Sequence, residues 1–553
     1  MVYRPLVRGT QLAAFGAWLV AGVCAWLAWR VGARRALPVV DMALASAVSV
    51  VALVVRAGGI ATQDVAWDEL AYALAGRHFV RNVQLGDFSR DAFRYNYYHP
   101  PLAKWLYGIG FDLGGQDGAR MVSAVLSAAS VGVCYGIAKL LYGRRVALGA
   151  AAISAFLPGL VAHGRLSGLE SVLVFFWLLS LLGALCWIAA IDPQPGRSQT
   201  STAAVGCALL AGACAALACG ARLTAVWLAP VLLLALLLPA RTVSLRPRLH
   251  AALAFGLGGL LAGGLVIALW PWLAQTKLEG LHAIGERWHL QATTEIFLGK
   301  DLAPPPARYY AAAFAATTPA LLLVLAGCGA VLGLHRPALR RSTLFALAAL
   351  LAPFLQSFSP FRQDLARYVI QAWPVLAMLA ALGADLLMAA LVGHAWFATR
   401  LGPRARSGVH FGLALALSVY TAVELRRVEP YPLDYFGELV GGPSGVARSH
   451  AFELAWWGEG FRDAIDYVNR TAPPGSRVQL ALTPDDTAPK LRDDLLAVAS
   501  PPGDFVVTNH YKFQPLHPRG CTRVHTVRVA GAPLVDVYRC SPVPRKMQIP
   551  RSW

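Results

Sequence analysis

Apolar runs of about 18–24 residues follow one another from near residue 11 to Leu425, and they decide what this chain can fold into. A helix of that length crosses the ~30 Å hydrocarbon of a bilayer, and it satisfies its own backbone polar groups on the way. Of the 553 residues, 57% are hydrophobic and only 14% charged, against about 25% charged in ordinary soluble domains. About twelve spans are expected, near 11–29, 37–55, 119–141, 146–162, 169–190, 203–218, 222–238, 250–273, 310–333, 343–358, 368–391 and 409–424. Arg4 and Arg8 ahead of the first run imitate a signal peptide, but no small-residue cleavage site follows, so it is read as a span. From Arg426 the sequence becomes mixed and proline-punctuated. The expectation is a polytopic α-helical membrane domain over 1–425 and a small soluble α/β domain over 426–553.

Charge then assigns sides. The net charge is +19, but residues 426–553 are nearly balanced, with 16 Lys+Arg against 13 Asp+Glu, while residues 1–425 hold 33 against 17. Alternate turns of the membrane part carry compact arginine clusters: Arg30/Arg34/Arg35, Arg144/Arg145, Arg241/Arg246/Arg248, Arg336/Arg340/Arg341 and Arg400/Arg404/Arg406. The exception is 191–202, with Asp192 and Arg197. Short arginine-dense loops mark the cytoplasmic side. The other turns, Asp64–Lys104, His163–Gly168, Gly220–Ala221, Gln275–Tyr309 and Ser357–Arg367, then face outward with the C-terminal domain. Nucleic-acid binding is a poor explanation for a surplus distributed this way. Seven of the nine cysteines lie in apolar runs and behave as small hydrophobes. Cys521 and Cys540, in the soluble part, could pair outside the cytoplasm.

The two large outer loops, within 57–118 and 274–309, are where chemistry is expected, since connections are usually a handful of residues. Val65 to Val80 reads as an amphipathic helix with Asp64 as N-cap, which places Asp68 and Tyr72 on one face. Asp68 and Glu69 either favour the positive end of that helix or, as acids at the membrane boundary beside an aromatic, form a functional pair. Pro100-Pro101 stops any helix from the left, so an interfacial helix carrying Lys104 begins there. Tyr97, Tyr98 and Trp105 suit an aromatic belt. His282, Glu286 and His289 could share a helix face, yet without a tight ligand motif they read as solvated loop residues. In the C-terminal part Glu459–Thr471 reads as an amphipathic helix, and strands are expected at 477–482, 504–508, 522–529 and 534–538.

Taken in order, Asp68-Glu69, His99-Pro100-Pro101-Leu102-Ala103-Lys104 and Arg165-Leu166-Ser167-Gly168-Leu169-Glu170 form a pattern. It continues with Arg287-Trp288-His289, Phe297-Leu298-Gly299-Lys300, Tyr309-Tyr310, Arg367-Tyr368 and Trp456-Trp457-Gly458-Glu459-Gly460. This resembles the GT-C superfamily of membrane glycosyltransferases, in particular bacterial relatives of the dolichyl-phosphate-mannose-protein mannosyltransferases and the aminoarabinose transferase family. The resemblance covers most of the chain and implies the GT-C fold in a bacterial inner membrane, with the site facing the periplasm. It implies transfer of mannose or a related sugar, with inversion, from a polyprenyl-phosphate donor to a protein, glycan or lipid acceptor bearing a hydroxyl or phosphate. Asp68 would be the general base, with Glu69 supporting it. Tyr72, His99, Lys104, Arg165, Glu170 and Arg367 would bind substrate, the cations holding the lipid phosphate. Glu170 reads equally as an ion-pair partner of Arg165, and the cations equally as snorkelling anchors. No metal ligand set is assigned, although some members of the superfamily use a divalent cation. The competing reading is a lipid-sugar transporter, which would favour ionisable residues inside spans and interrupted helices in matching halves; here the polar residues crowd into outer loops.

Overall fold

The computed structural model describes residues 38–191, 202–239, 243–290, 294–393, 403–481, 490–499, 503–513 and 517–541. The expected first span and the clusters at Arg30/Arg34/Arg35, 192–201, Arg241 and Arg400 lie outside them. The helices run α1 (Val39–Ala57), α2 (Trp67–Leu85), α3 (Leu102–Tyr142), α4 (Arg144–Phe156), α5 (Pro158–Gly164), α6 (Glu170–Ile191), α7 (Thr202–Ala221), α8 (Ala229–Leu237), α9 (Leu245–Ala268) and α10 (Pro271–Leu290). After a short β1–β2 hairpin (Glu295–Phe297, Lys300–Leu302) come α11 (Tyr309–Ala316), α12 (Ala320–His335), α13 (Pro337–Leu351), α14 (Ala372–Gly393) and α15 (Pro403–Val428).

Among the described residues, eight helices are long and apolar enough to cross a membrane, and two bent pairs, α4–α5 and α11–α12, raise the number to ten. The expected span at 222–238 is shorter: a 3₁₀ turn, Leu223–Leu228, leads into α8. The interfacial helix expected after Pro100-Pro101 and the span expected from 119 are one element, α3, broken at Gly114 and Gly115, where Gly115 has φ +62°. Glycine takes that conformation without a Cβ penalty. Helices meet through small residues: a Cβ on Gly329 would lie 2.0 Å from the Leu379 carbonyl oxygen, and one on Gly383 2.0 Å from that of Leu325. Such glycines let backbones approach where lipid offers no hydrophobic drive.

The C-terminal part adds α16 (Gly442–Ser449), α17 (Phe461–Thr471) and a mixed sheet in the order β4 (Leu496–Ala497), β3 (Arg477–Ala481), β5 (Phe505–Asn509), β7 (Ala532–Cys540), β6 (Cys521–Val529). The α17 face of Phe461, Ala464, Ile465 and Val468 is buried, as its spacing predicts. Cys521 and Cys540 pair across the β6–β7 ladder and are joined as a disulfide. This part sits on the end of the bundle where the long turns meet. At the opposite end Arg144 binds the buried Asp41, and the Tyr142 hydroxyl donates to Ser342 O.

Candidate functional site

The charged centre is assembled on Arg367. It lies on a 3₁₀ turn, Leu365–Val369, entered through Asp364 in the left-handed region with φ +60°. Its side chain is 1% exposed, so each N–H needs a partner. Nε donates to Glu170 Oε1 at 2.6 Å, and Nη1 donates to Asp68 Oδ2 at 2.9 Å and to Asp364 Oδ2 at 3.1 Å. Arg222 donates to the same Glu170 oxygen at 3.0 Å, and its guanidinium stacks 3.7 Å from the Tyr368 ring centre. Tyr72, one turn beyond Asp68 on α2, donates to Asp68 Oδ2 at 3.2 Å. Exposure separates the acids: the Asp68 side chain is 44% exposed, whereas Glu170 is 1%. Among the described residues only Oδ2 of Asp68 is engaged, which leaves Oδ1 open to an incoming group.

Glu69, one residue further, has no such freedom. Arg120 on α3 donates to both of its oxygens at 2.8 Å, Ser167 adds its amide at 2.9 Å and its hydroxyl at 3.1 Å, and the Ala66 amide closes the set. Glu69, expected to support the base, is a saturated, buried carboxylate that fixes α2 to α3 and to the turn before α6. Asp64 is not the N-cap of α2, which starts at Trp67 after an extended Ala66. Its carboxylate turns instead to the amides of Gly460 and Arg462 at 2.8 and 2.7 Å, capping α17.

The expected phosphate-binding cations divide. Lys104 is fully buried; Nζ donates to Asn96 O and His99 O at 2.7 and 2.8 Å, fastening the aromatic loop, and lies 5.3 Å from the Phe79 ring centre. Arg165 binds Glu429 at 2.8 Å and Val55 O at 3.0 Å, not Glu170, which faces Arg222 and Arg367. His99 lies edge-on to Tyr72, 5.5 Å between ring centres. Burial, with Lys104, Arg222 and Arg367 close by, holds its imidazole well below the usual pKa, so it is a neutral ring and not a cation. Among the described residues Glu170 Oε2 and His163 Nδ1 have no hydrogen-bond partner, and both residues line a cavity of about 10 Å³ with Arg56, Ser127 and Ser171, room for roughly one water. Among the described residues no three His, Cys, Asp or Glu side chains gather as metal ligands; His282 and Glu286 pair on the surface at 3.2 Å.

Arg222, Asp364 and Arg120 are site residues that sequence reasoning passed over, and Trp457 it named only within the Trp456–Gly460 motif, without a role. Arg222 had a signal, a lone cation at the outer end of an apolar run. Trp457 lies over Arg367, 4.1 Å from ring centre to guanidinium.

The fold, a helical membrane body whose turns at one end gather acids and arginines beneath a small α/β cap, is the architecture the motif order implies, and solved membrane proteins share it. Among solved structures the chain is similar to ArnT from Cupriavidus metallidurans bound to undecaprenyl phosphate, at TM-score 0.50 and 18% identity, over 90% of this chain and 97% of that one. It is also similar to the Archaeoglobus fulgidus oligosaccharyltransferase in the apo form, at TM-score 0.50 and 12% identity, over 80% of this chain and 62% of that one. The sequence model of the dolichyl-phosphate-mannose-protein mannosyltransferase family matches residues 98–270. No curated protein sequence matches the chain significantly.

Proposed function

We propose that this chain is an inverting glycosyltransferase that moves mannose or a related sugar from a polyprenyl phosphate to a hydroxyl or phosphate of a protein, glycan or lipid acceptor. The similarity to an ArnT structure bound to undecaprenyl phosphate supports the donor class. The observation that carries the reading is Asp68: a half-exposed carboxylate anchored through one oxygen to a buried arginine, which also holds Glu170. The acceptor O–H gives its proton to Asp68 while its oxygen attacks the anomeric carbon. The bond from that carbon to the phosphate oxygen breaks, and the electron pair leaves on the phosphate. A phosphate departs as a stable anion, so one base and fixed cations suffice, unlike the two carboxylates of glycoside hydrolysis. Arg222 meets that charge. Arg165 and His99 are left out, the first because of its bond to Glu429, the second because it is neutral. The arginine-rich turns at the far end and the disulfide in the cap support a site on the periplasmic face of a bacterial inner membrane.

The test is sugar transfer in membranes from a panel of radiolabelled polyprenyl-phosphate sugars, comparing wild type with Asp68→Asn. One donor should be used, and its transfer should fall by roughly 10²–10⁴-fold in the variant with the melting temperature unchanged. Equal transfer in both would remove Asp68 as the base and point to Asp364. Transbilayer movement of the lipid without any transfer would favour the transporter. Chelation with EDTA and readdition of Mg²⁺ or Mn²⁺ reads whether a divalent cation takes part.

A further inference from the structure

The Trp456–Gly460 loop is built with more constraint than a connector needs. Ala455, Gly458 and Gly460 have φ of +51°, +95° and +92°, and a left-handed alanine persists only where its surroundings enforce it. Two buried carboxylates do that. Asp434 Oδ1 accepts from the Ala455 amide at 2.8 Å, and Glu459 Oε2 accepts from the Trp457 amide at 3.0 Å. Asp64 fixes the far side through the Gly460 amide. Gly458 presses on α2: a Cβ there would lie 3.2 Å from Trp67 Nε1, immediately before Asp68.

All of this holds one ring in place. The Trp457 ring lies over the Arg367 guanidinium and meets His163 edge-on, with ring centres 6.0 Å apart. Arg367 has its edge N–H groups directed at Glu170, Asp68 and Asp364, so a ring on its face constrains the remaining freedom, the tilt of the plane. A flat guanidinium bound on its edges and stacked on its face is a different object from a flexible cation.

We propose that Trp457, from the C-terminal part of the chain, is a positioning residue for the transfer reaction, setting the plane of Arg367 and through it the orientation of the Asp68 carboxylate. This rests on the reading of Asp68 as the base. It gives the C-terminal part a task at the site, so the membrane helices alone do not complete the active centre. The step affected is chemistry and not donor capture, because the buried Arg367 spends its N–H groups on Asp68, Glu170 and Asp364. Trp457→Leu should therefore lower kcat about 10- to 100-fold while the donor KM stays within about 2-fold, and Trp457→Phe, which keeps a face for the guanidinium, should restore most of it.

The experiment is a double-mutant cycle of Trp457→Leu with Arg367→Lys on the full chain, read in two ways. Melting temperatures of purified protein need no substrate: if the two side chains act together, the double variant melts no lower than the worse single variant. Turnover of each folded variant should be non-additive in the same way. Additive melting losses would overturn the proposal. So would Phe and Leu variants with equal kcat per folded molecule, because packing alone then explains the ring. Non-additive melting in a protein that transfers no sugar would leave the Trp457–Arg367 coupling standing and count against the glycosyltransferase reading instead.

Discussion

Replacing Glu69 by glutamine removes the counter-charge of an arginine that is itself 3% exposed. Breaking a buried pair from one side costs about 3–5 kcal/mol, because the partner stays charged and unpaired. Against a total stability of roughly 5–15 kcal/mol, that is enough to cut the yield of folded protein. Glu69→Gln should therefore melt well below wild type in detergent, yet the molecules that fold should transfer sugar at a near-normal rate. Asp68→Asn should do the reverse, since Arg367 keeps Glu170 and Asp364. The two acids are adjacent, and the sequence marks both as candidates without saying which is saturated. The difference lies in Arg120 and Ser167, 51 and 98 residues away, and no local pattern announces a partner at that range. The same holds for Glu170, whose nearby Arg165 looked the natural partner while Arg222 and Arg367 hold it.

At the scale of elements, α2 crosses α3 glycine to glycine. A Cβ on Gly76 would lie 1.8 Å from the Lys104 carbonyl oxygen, and one on Gly108 would lie 2.2 Å from the Gly76 carbonyl carbon. Gly76→Ala must push the two helices apart, at about 1–3 kcal/mol for overpacking. It also moves Asp68 against the Lys104 loop, and a displacement near 1 Å can cost on the order of 10² in rate. Gly256 on α9, with nothing within 4 Å of its would-be Cβ, is the control: Gly256→Ala should leave melting and turnover at least as high as wild type. Most elements were legible because apolar length and proline punctuation act locally, as at the start of α3. Where the reading failed, a distant group had intervened. Asp64 looked like the cap of the helix it precedes, and it caps α17 instead.

The joint between membrane body and cap carries a pH signature for the whole molecule. Burial pushes the Asp64 carboxyl up to about 6, with Asp463 adding to the rise and the Gly460 and Arg462 amides opposing it. Burial raises Asp434 to about 7, against its bond from the Ala455 amide. Burial raises Glu459 as well. Carboxyls in an unfolded chain titrate near 4, so the folded joint holds protons that the unfolded chain has released. Its contribution is complete below about pH 4 and is lost as pH rises through about 6–7. The full-length protein should melt higher at about pH 5 than at about pH 7.5, and the double variant Asp64→Asn/Asp434→Asn should flatten that difference; an unchanged difference would place its origin elsewhere. The charged centre has a further consequence, for biogenesis. Asp68 precedes Arg367 by 299 residues and Glu170 precedes it by 197, which at roughly 5–20 residues per second is tens of seconds of synthesis. Glu170 can meet Arg222 after only 52 residues, but Asp68 is made long before its arginine, so a ribosome stalled before residue 367 would leave the exposed acid of the site without its counter-ion.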